Sequence, residues 1–314
     1  MLLILLVGIV VSAIAIIASN DKKNHSNMAN AHNNFLKFEQ NVSITPGKKK
    51  KLIASRQALQ TRITEYFKAH EKYLAPKYYI QGSYKMGTMV MDKNGTYDVD
   101  LGVYFLEKPE IGPQTLQNTV LKSVTGITQA GVEHREKCVR VIYKGDFDID
   151  IPVYYKTPND KNPFLATKNG WLASDPKELC DWFEKKKDKN GQLVRLVKYF
   201  KCWAYQRSKK MPNGISFTVW VANNYKPNNR DDRAFFDTAK AIESTFGGGF
   251  VDTVVMNPAT PQDNLLKLDF KQRTNFKEAF RQMLKDTEHA LQTNGNSKAL
   301  NIWKQQFGEK FPVI

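Results

Sequence analysis

Asp98 and Asp100 stand one residue apart in YDVDLGVYF (97–105), a stretch that otherwise alternates like a strand. In an extended chain both carboxylates point one way, while Val99, Leu101, Val103 and Phe105 point the other. Aspartate is depleted in strands and costly to bury alone, so a like-charged pair needs a reason. A second acidic strand lies in DFDIDIPVYY (146–155), where Asp146, Asp148 and Asp150 alternate with Phe147, Ile149 and Ile151. If the two strands pair, at least three carboxylates meet on one patch of sheet and raise one another's pKa values. A divalent cation resolves that conflict, because hard Mg²⁺ binds carboxylate and phosphate oxygens. Two such ions can activate an attacking hydroxyl and stabilise a leaving pyrophosphate oxygen. The alternative is that these aspartates sit at solvated strand ends. Upstream, Gly82-Ser83 in QGSYKMGT offers backbone N–H groups and a hydroxyl at a turn that could hold a phosphate. No GxxxxGK[ST] run occurs, so this is not a Walker A loop.

The elements that must position these groups follow from the pattern. A helix is expected from Thr45, with Leu52, Leu59, Ile63, Tyr66 and Phe67 as its apolar stripe. Its first turn carries Lys48–Lys51, the wrong end for the helix dipole, and reads as a solvated face or a phosphate or membrane contact. KYYIQ (77–81) reads as a strand and 113–124 as a helix. CVRVIY (138–143) and the second acidic strand flank Lys144-Gly145, which predicts an antiparallel hairpin. After about residue 165 the pattern turns helical. Asp175-Pro176-Lys177-Glu178 supplies an N-cap, a Pro at N1 and a capping-box Glu. Helices are expected over 192–206 and near 215–224, 232–246, 274–292 and 297–307.

The chain has 314 residues, 47 Lys+Arg against 31 Asp+Glu, and a net charge of +16, which calls for an anionic partner such as nucleic acid, nucleotide or acidic lipid. Cys138, Cys180 and Cys202 lack paired spacing, and His134 near Cys138 has no second Cys or His pair to complete four ligands, so neither a disulfide framework nor structural zinc is indicated and a reducing compartment fits. Residues 1–18 are uncharged and apolar, and Lys22 and Lys23 follow them. That order predicts a membrane anchor within residues 1–20, with the remainder on the cytoplasmic side. An over-extended reading frame with a true start at Met28 explains the same run. Residues 21–45 are polar and Asn-rich and read as a linker or loosely held arm.

Gly-Ser, then Asp-x-Asp, then a later Asp resembles the DNA polymerase β-like nucleotidyltransferase superfamily. More closely, QGSYKMGT, YDVDLGVYF, EKCVRVIY, DFDIDIPVYY, SDPKELCDWFEKK and VKYFKCW resemble the bacterial cyclic-oligonucleotide synthases (CD-NTases) of anti-phage CBASS systems, relatives of cyclic GMP-AMP synthase and oligoadenylate synthase. The likeness runs from about residue 30 to about 290 and is nearest to the dinucleotide-cyclase branch. It implies an α+β fold: a polymerase β-like core over 46–165, with a mixed or antiparallel sheet and helices, and a helical domain over 166–314. The two lobes would enclose the active site in their cleft.

The resemblance also implies roles. Asp98, Asp100 and Asp150, the last before Ile151-Pro152, look like the catalytic metal ligands for two Mg²⁺ ions, with Mn²⁺ as a substitute. Gly82 and Ser83 look like the triphosphate holder, and Lys201 in FKCW like the helix lysine reaching it. Lys198 could share that duty. Ser216 resembles a serine near the nucleotide, or equally a helix cap. Arg140 would contact a phosphate, or make a strand-edge salt bridge. Trp182 and Trp203 read as core. Many relatives have Asp-Ile-Asp-Asp-Gly where this chain has Asp98-Val99-Asp100-Leu101-Gly102, which alters the surroundings of the pair and leaves its carboxylates.

The expected activity is the joining of ATP, GTP or other NTPs into a cyclic di- or trinucleotide that switches on a downstream effector. The setting would be the bacterial cytoplasm or the inner face of its membrane, with no obligatory nucleic acid. The competing readings are a transferase that extends or modifies RNA or a protein, and an inactive nucleic-acid-binding or membrane-tethered scaffold.

Overall fold

The computed structural model describes residues 29–70, 74–247 and 253–313. Helices α1 (His32–Val42) and α2 (Pro46–His70) come first, then strand β1 (Lys77–Gln81) and the short helix α3 (Gly82–Met86). Strand β2 (Tyr97–Phe105) and helix α4 (Pro113–Val124) follow. The sheet is completed by β3 (Val132–His134), β4 (Val139–Tyr143), β5 (Phe147–Ile151), β6 (Val153–Tyr155), β7 (Phe164–Thr167) and β8 (Gly170–Ala173). Six helices close the described chain: α5 (Pro176–Lys186), α6 (Gln192–Tyr205), α7 (Gly214–Asn224), α8 (Asp231–Glu243), α9 (Phe270–Gln292) and α10 (Asn296–Phe307).

The eight strands form one mixed sheet in the order β3-β4-β5-β2-β6-β7-β8, with β1 added antiparallel to β2. Both acidic strands do pair, in parallel, so that Asp98 lies beside Asp148 and Asp100 beside Asp150. Pro152 has no N–H to give a ladder, and the second acidic stretch breaks there into β5 and β6. Its carbonyl still accepts from Val103 N at 2.9 Å, and β6 resumes the pairing with β2. The expected hairpin between β4 and β5 is present, with three residues in its turn (144–146) and Gly145 at φ 78°.

Alternation then sorts the two faces. Val99, Leu101 and Val103 of β2 and Ile149 and Ile151 of β5 are buried with Leu59, Ile63 and Phe67 of α2 and Leu116 and Val120 of α4. The carboxylates are left on the other face, toward a second core made mainly by α1 and α5–α10. Two cores with a cleft between them give the bilobed α+β architecture expected from the motifs.

Two sequence expectations need correction. Residues 29–45 are not a loose arm: helix α1 lies inside the helical lobe, with Phe35, Phe38 and Val42 fully buried. The Phe35 ring meets Tyr199 and Trp303 at 4.9 Å each and Phe311 at 5.3 Å, and its carbonyl accepts from the Tyr199 hydroxyl at 2.9 Å. The Asn-rich composition hid a stripe of Phe35, Phe38 and Val42 at helical spacing. Phe35→Ala is therefore expected to cost about 3–5 kcal/mol of unfolding free energy, read from the denaturant midpoint; a loss below about 1 kcal/mol would contradict this packing.

The sheet also does not end at 165. Strands β7 and β8 form a hairpin around Lys168-Asn169, a turn that Asn169-Gly170 signals in the sequence. The chain leaves the helical lobe at 43–45 and returns at 174–175, and Met86 and Val90 between β1 and β2 also pack in the helical core. The apolar run 1–18 lies outside the described residues. Among the described residues no helix is long and apolar enough to cross a membrane.

Candidate active site

A cleft of about 460 Å³ between the lobes is lined by Gly82, Ser83, Asp98, Asp100, Asp150 and Lys201. Four separate stretches of chain supply these six residues. Strands β2 and β5 present the carboxylates in register, while the turn after β1 brings Gly82-Ser83 over them because Gln81 pairs with Asp100. Gly82 has φ 65°, and a Cβ there would stand 2.0 Å from Asp100 Oδ2. Only glycine allows the backbone so close to that carboxylate.

Burial first, and then the charges of Asp150 and Asp98, push the Asp100 carboxyl up to about 7. Arg140 on β4 answers part of this repulsion. Its Nε and Nη2 each donate to Asp150 at 2.7 Å, its Nη1 donates to Asp148 at 2.9 Å, and Nη1 lies 3.3 Å from Asp98. One guanidinium thus faces three carboxylates, and among the described residues Asp100 has no cation in contact. Lys201 sits on α6 with only 5% of its surface exposed, and burial pulls its ammonium down to about 7. Its Nζ donates to the Thr88 carbonyl and to Thr88 Oγ1, both at 3.1 Å. Gly214 makes room for the stem, since a Cβ there would lie 3.2 Å from Lys201 Cε. The cleft therefore holds a carboxyl and an amine that both change charge near neutrality, which an incoming polyanion with its cations would drive to the charged forms.

The acidic patch suits a hard divalent cation in kind: oxygen donors, excess negative charge and an open approach. Among the described residues no three His, Cys, Asp or Glu side chains already converge in ligand geometry. The cause is visible in Arg140, which turns both Asp150 oxygens to itself, and in Asp98, whose side chain is 62% exposed. Binding a cation would require Asp150 to share its oxygens with Arg140.

Three of the expected site residues stand elsewhere. Lys198 is turned away from the cleft, where its ammonium pairs with Glu39 on α1 and donates to Ser43 Oγ at 2.9 Å. Ser216 is fully buried in the first turn of α7, where Asn213 is the cap and the Ser216 hydroxyl donates to the Leu265 carbonyl at 2.8 Å. Arg140 makes the salt bridges described and does not line the cleft. The basic run on α2 is likewise partly spoken for: Lys51 bridges to Asp146 at 2.8 Å, and Lys48 donates to the Gly95 carbonyl at 3.1 Å. Trp203 is core as expected, and Trp182 is partly buried against it. Thr88, Gly214, Thr218 and Tyr205 line the cleft and were not singled out from sequence. Tyr205 could have been, because it follows Lys201 by one helical turn.

Comparison with known proteins bears on the motifs and on the fold. Residues 76–154 match the family model described as cyclic GMP-AMP synthase DncV-like, nucleotidyltransferase domain, which bears out the resemblance read from the motifs. A cyclic GMP-AMP synthase of Escherichia albertii is 33% identical in an alignment that covers 61% of this chain and 46% of that protein. The chain thus spans less than half the length of that relative. A cyclic AMP-AMP-AMP synthase of an Acinetobacter species is 26% identical over 74% of this chain and 72% of its own. The fold is that of Vibrio cholerae DncV, a cyclic AMP-GMP synthase. Its complex with the linear intermediate 5′ pppA(3′,5′)pG superposes with a TM-score of 0.78 over 91% of this chain and 97% of that one, at 20% identity.

Proposed function

We propose that this chain uses its DncV-like nucleotidyltransferase domain to join NTPs into a cyclic di- or trinucleotide, with release of pyrophosphate. The observation that carries the reading is the meeting of Gly82-Ser83, Asp98, Asp100, Asp150 and Lys201 from four stretches of chain in one interlobe cleft. Relatives that synthesise cyclic nucleotides support the product class.

In this reading Ser83 and the turn amides hold the triphosphate end of the donor, and the Lys201 ammonium takes up its charge. Thr88 keeps Lys201 aimed at that point, so little reorganisation is needed when the anion arrives. Asp98, Asp100 and Asp150 would hold two Mg²⁺ or Mn²⁺ ions, which supply charge neutralisation of the triphosphate and a more acidic attacking hydroxyl. Arg140 aligns Asp150 and Asp148 and keeps the patch from repelling itself open. A ribose hydroxyl of the second nucleotide bonds to the α-phosphorus and its proton goes to solvent. The α–β phosphoanhydride bond breaks, and pyrophosphate leaves with the electron pair. Each further bond forms by the same step, and the last one, at the other end of the linear intermediate, closes the ring: the second step for a dinucleotide, the third for a trinucleotide. Positioning and charge account for the catalysis, with no covalent enzyme intermediate. Such a product implies a downstream effector that binds a cyclic nucleotide, in the manner of anti-phage signalling in the bacterial cytoplasm.

The test is to incubate purified protein with the four NTPs and Mg²⁺, digest with phosphatase and identify the surviving products by mass spectrometry. Phosphatase-resistant cyclic nucleotides are expected. A phosphatase-sensitive ladder would mean RNA extension instead, and no product from the wild type would remove the synthase reading.

A further inference from the structure

Tyr205 ends helix α6 one turn, about 6 Å, beyond Lys201 on the same helix face, and both line the cleft. It is 42% exposed, although the protein buries most of its aromatic rings. Tyr97, the other ring on the cleft, is 4% exposed and stacked on Phe147 at 5.4 Å. Among the described residues Tyr205 stacks on no other ring. A second cavity of about 290 Å³, floored by Phe38, Val42, Cys202 and Phe307, shares only Tyr205 and Asp92 with the cleft. The side chain thus stands on the border of two cavities, 42% exposed, with burial felt at its hydroxyl end.

An amphipathic ring left open beside a polyanion site has one chemical use that its neighbours lack. Every nucleobase has a π-face, and stacking on an aromatic side chain is tolerant of base identity. We infer that Tyr205 is a stacking platform for the base of a nucleotide whose phosphates lie toward Lys201 and Ser83. The inference rests on the reading of the cleft as a nucleotide site and assigns that site its base-binding wall. The one-turn offset from Lys201 sets the distance between the phosphate grip and the base grip on a single rigid helix. Because the residue is 42% exposed and belongs to neither core, it can be replaced with little cost to the fold.

The experiment is calorimetric titration, with Mg²⁺ present, of wild type and Tyr205→Phe, →Trp, →Leu and →Ala variants. The probes are non-hydrolysable ATP and GTP analogues and, separately, inorganic tripolyphosphate. Tyr205→Ala and Tyr205→Leu are expected to bind the analogues about 5- to 100-fold more weakly, and Tyr205→Phe and Tyr205→Trp within about twofold of wild type. Tripolyphosphate affinity stays the same in all of them, because it engages only the phosphate grip. Tyr205→Leu binding as tightly as Tyr205→Phe would overturn the inference, since mere apolar contact would then suffice. So would a parallel loss of tripolyphosphate affinity, which would mean a displaced helix. Wild type binding the analogues no tighter than tripolyphosphate would also overturn it. Wild type that binds the analogues tightly yet forms no product from NTPs would instead remove the synthase reading and leave the platform standing.

Discussion

Replacing Asp100 by Asn is expected to lower product formation at least a thousandfold and, with divalent ions chelated, to raise Tm at pH 8. Both effects have one origin. Three carboxylates share a patch of sheet that a single guanidinium only partly neutralises, and Asp100 is held up at about 7 by burial and by Asp150 and Asp98. A carboxyl whose folded pKa lies above its unfolded value of 3.8 binds its proton more tightly in the folded state. That contribution to stability is fully present below about pH 4 and is lost as the pH rises through 7. Asn keeps the shape and removes the charge, so its Tm advantage should be largest at pH 8, about 2 °C or more, and should shrink toward pH 4. Mg²⁺ should raise the Tm of wild type and leave Asp100→Asn nearly unmoved. Asp98→Ala and Asp150→Ala should also abolish product. More than about 1% residual turnover in any of the three would refute that residue as a ligand, and a Tm gain independent of pH would refute the electrostatic account.

Gly82→Ala is expected to lower product formation at least a hundredfold while the chain still folds. The added Cβ would stand 2.0 Å from Asp100 Oδ2, and φ of 65° disfavours any residue with a side chain. The turn or the carboxylate must move, and a displacement of about 1 Å at a reacting centre costs roughly a hundredfold. Gly47→Ala is the control, because a Cβ there meets nothing within 4 Å. Turnover of Gly82→Ala within threefold of wild type, measured beside that control, would show that the close approach has no role.

The acidic strands were the most legible part of the chain. Asp98, Asp100 and Asp150 fall on the alternate positions between the apolar residues that name the buried face, and the pleat alone places them on the opposite one. Lys201 was less legible, because a lysine on an amphipathic helix reads as solvated; its burial depends on Gly214 and Thr88, which arrive from other segments. Lys198 reads the same way in sequence, yet Glu39 draws it off to α1. That partner was invisible while residues 29–45 read as a polar arm. Ser216 and Arg140 show the same limit. Each has the residue type its role would need, but the Leu265 carbonyl and the three aspartates claim them through contacts that the fold creates. Strand β8 was lost for a different reason: its four residues are too few for periodicity, and the Asn169-Gly170 turn signal was the better guide.

Because α1 belongs to the helical lobe and α2 to the sheet lobe, and because Met86 and Val90 between β1 and β2 pack in the helical core, the chain joins the lobes beside the cleft at 43–45, at 86–90 and at 174–175. Lys198, bound to Glu39 and Ser43, fixes the first of these from within the helical lobe. The middle one directly follows Gly82-Ser83, and Thr88 within it accepts from Lys201. The turn that stands over the carboxylates is therefore anchored in the lobe opposite to theirs, so a substitution in the helical core at Met86 or Val90 would be felt at the mouth of the cleft before it was felt in the sheet.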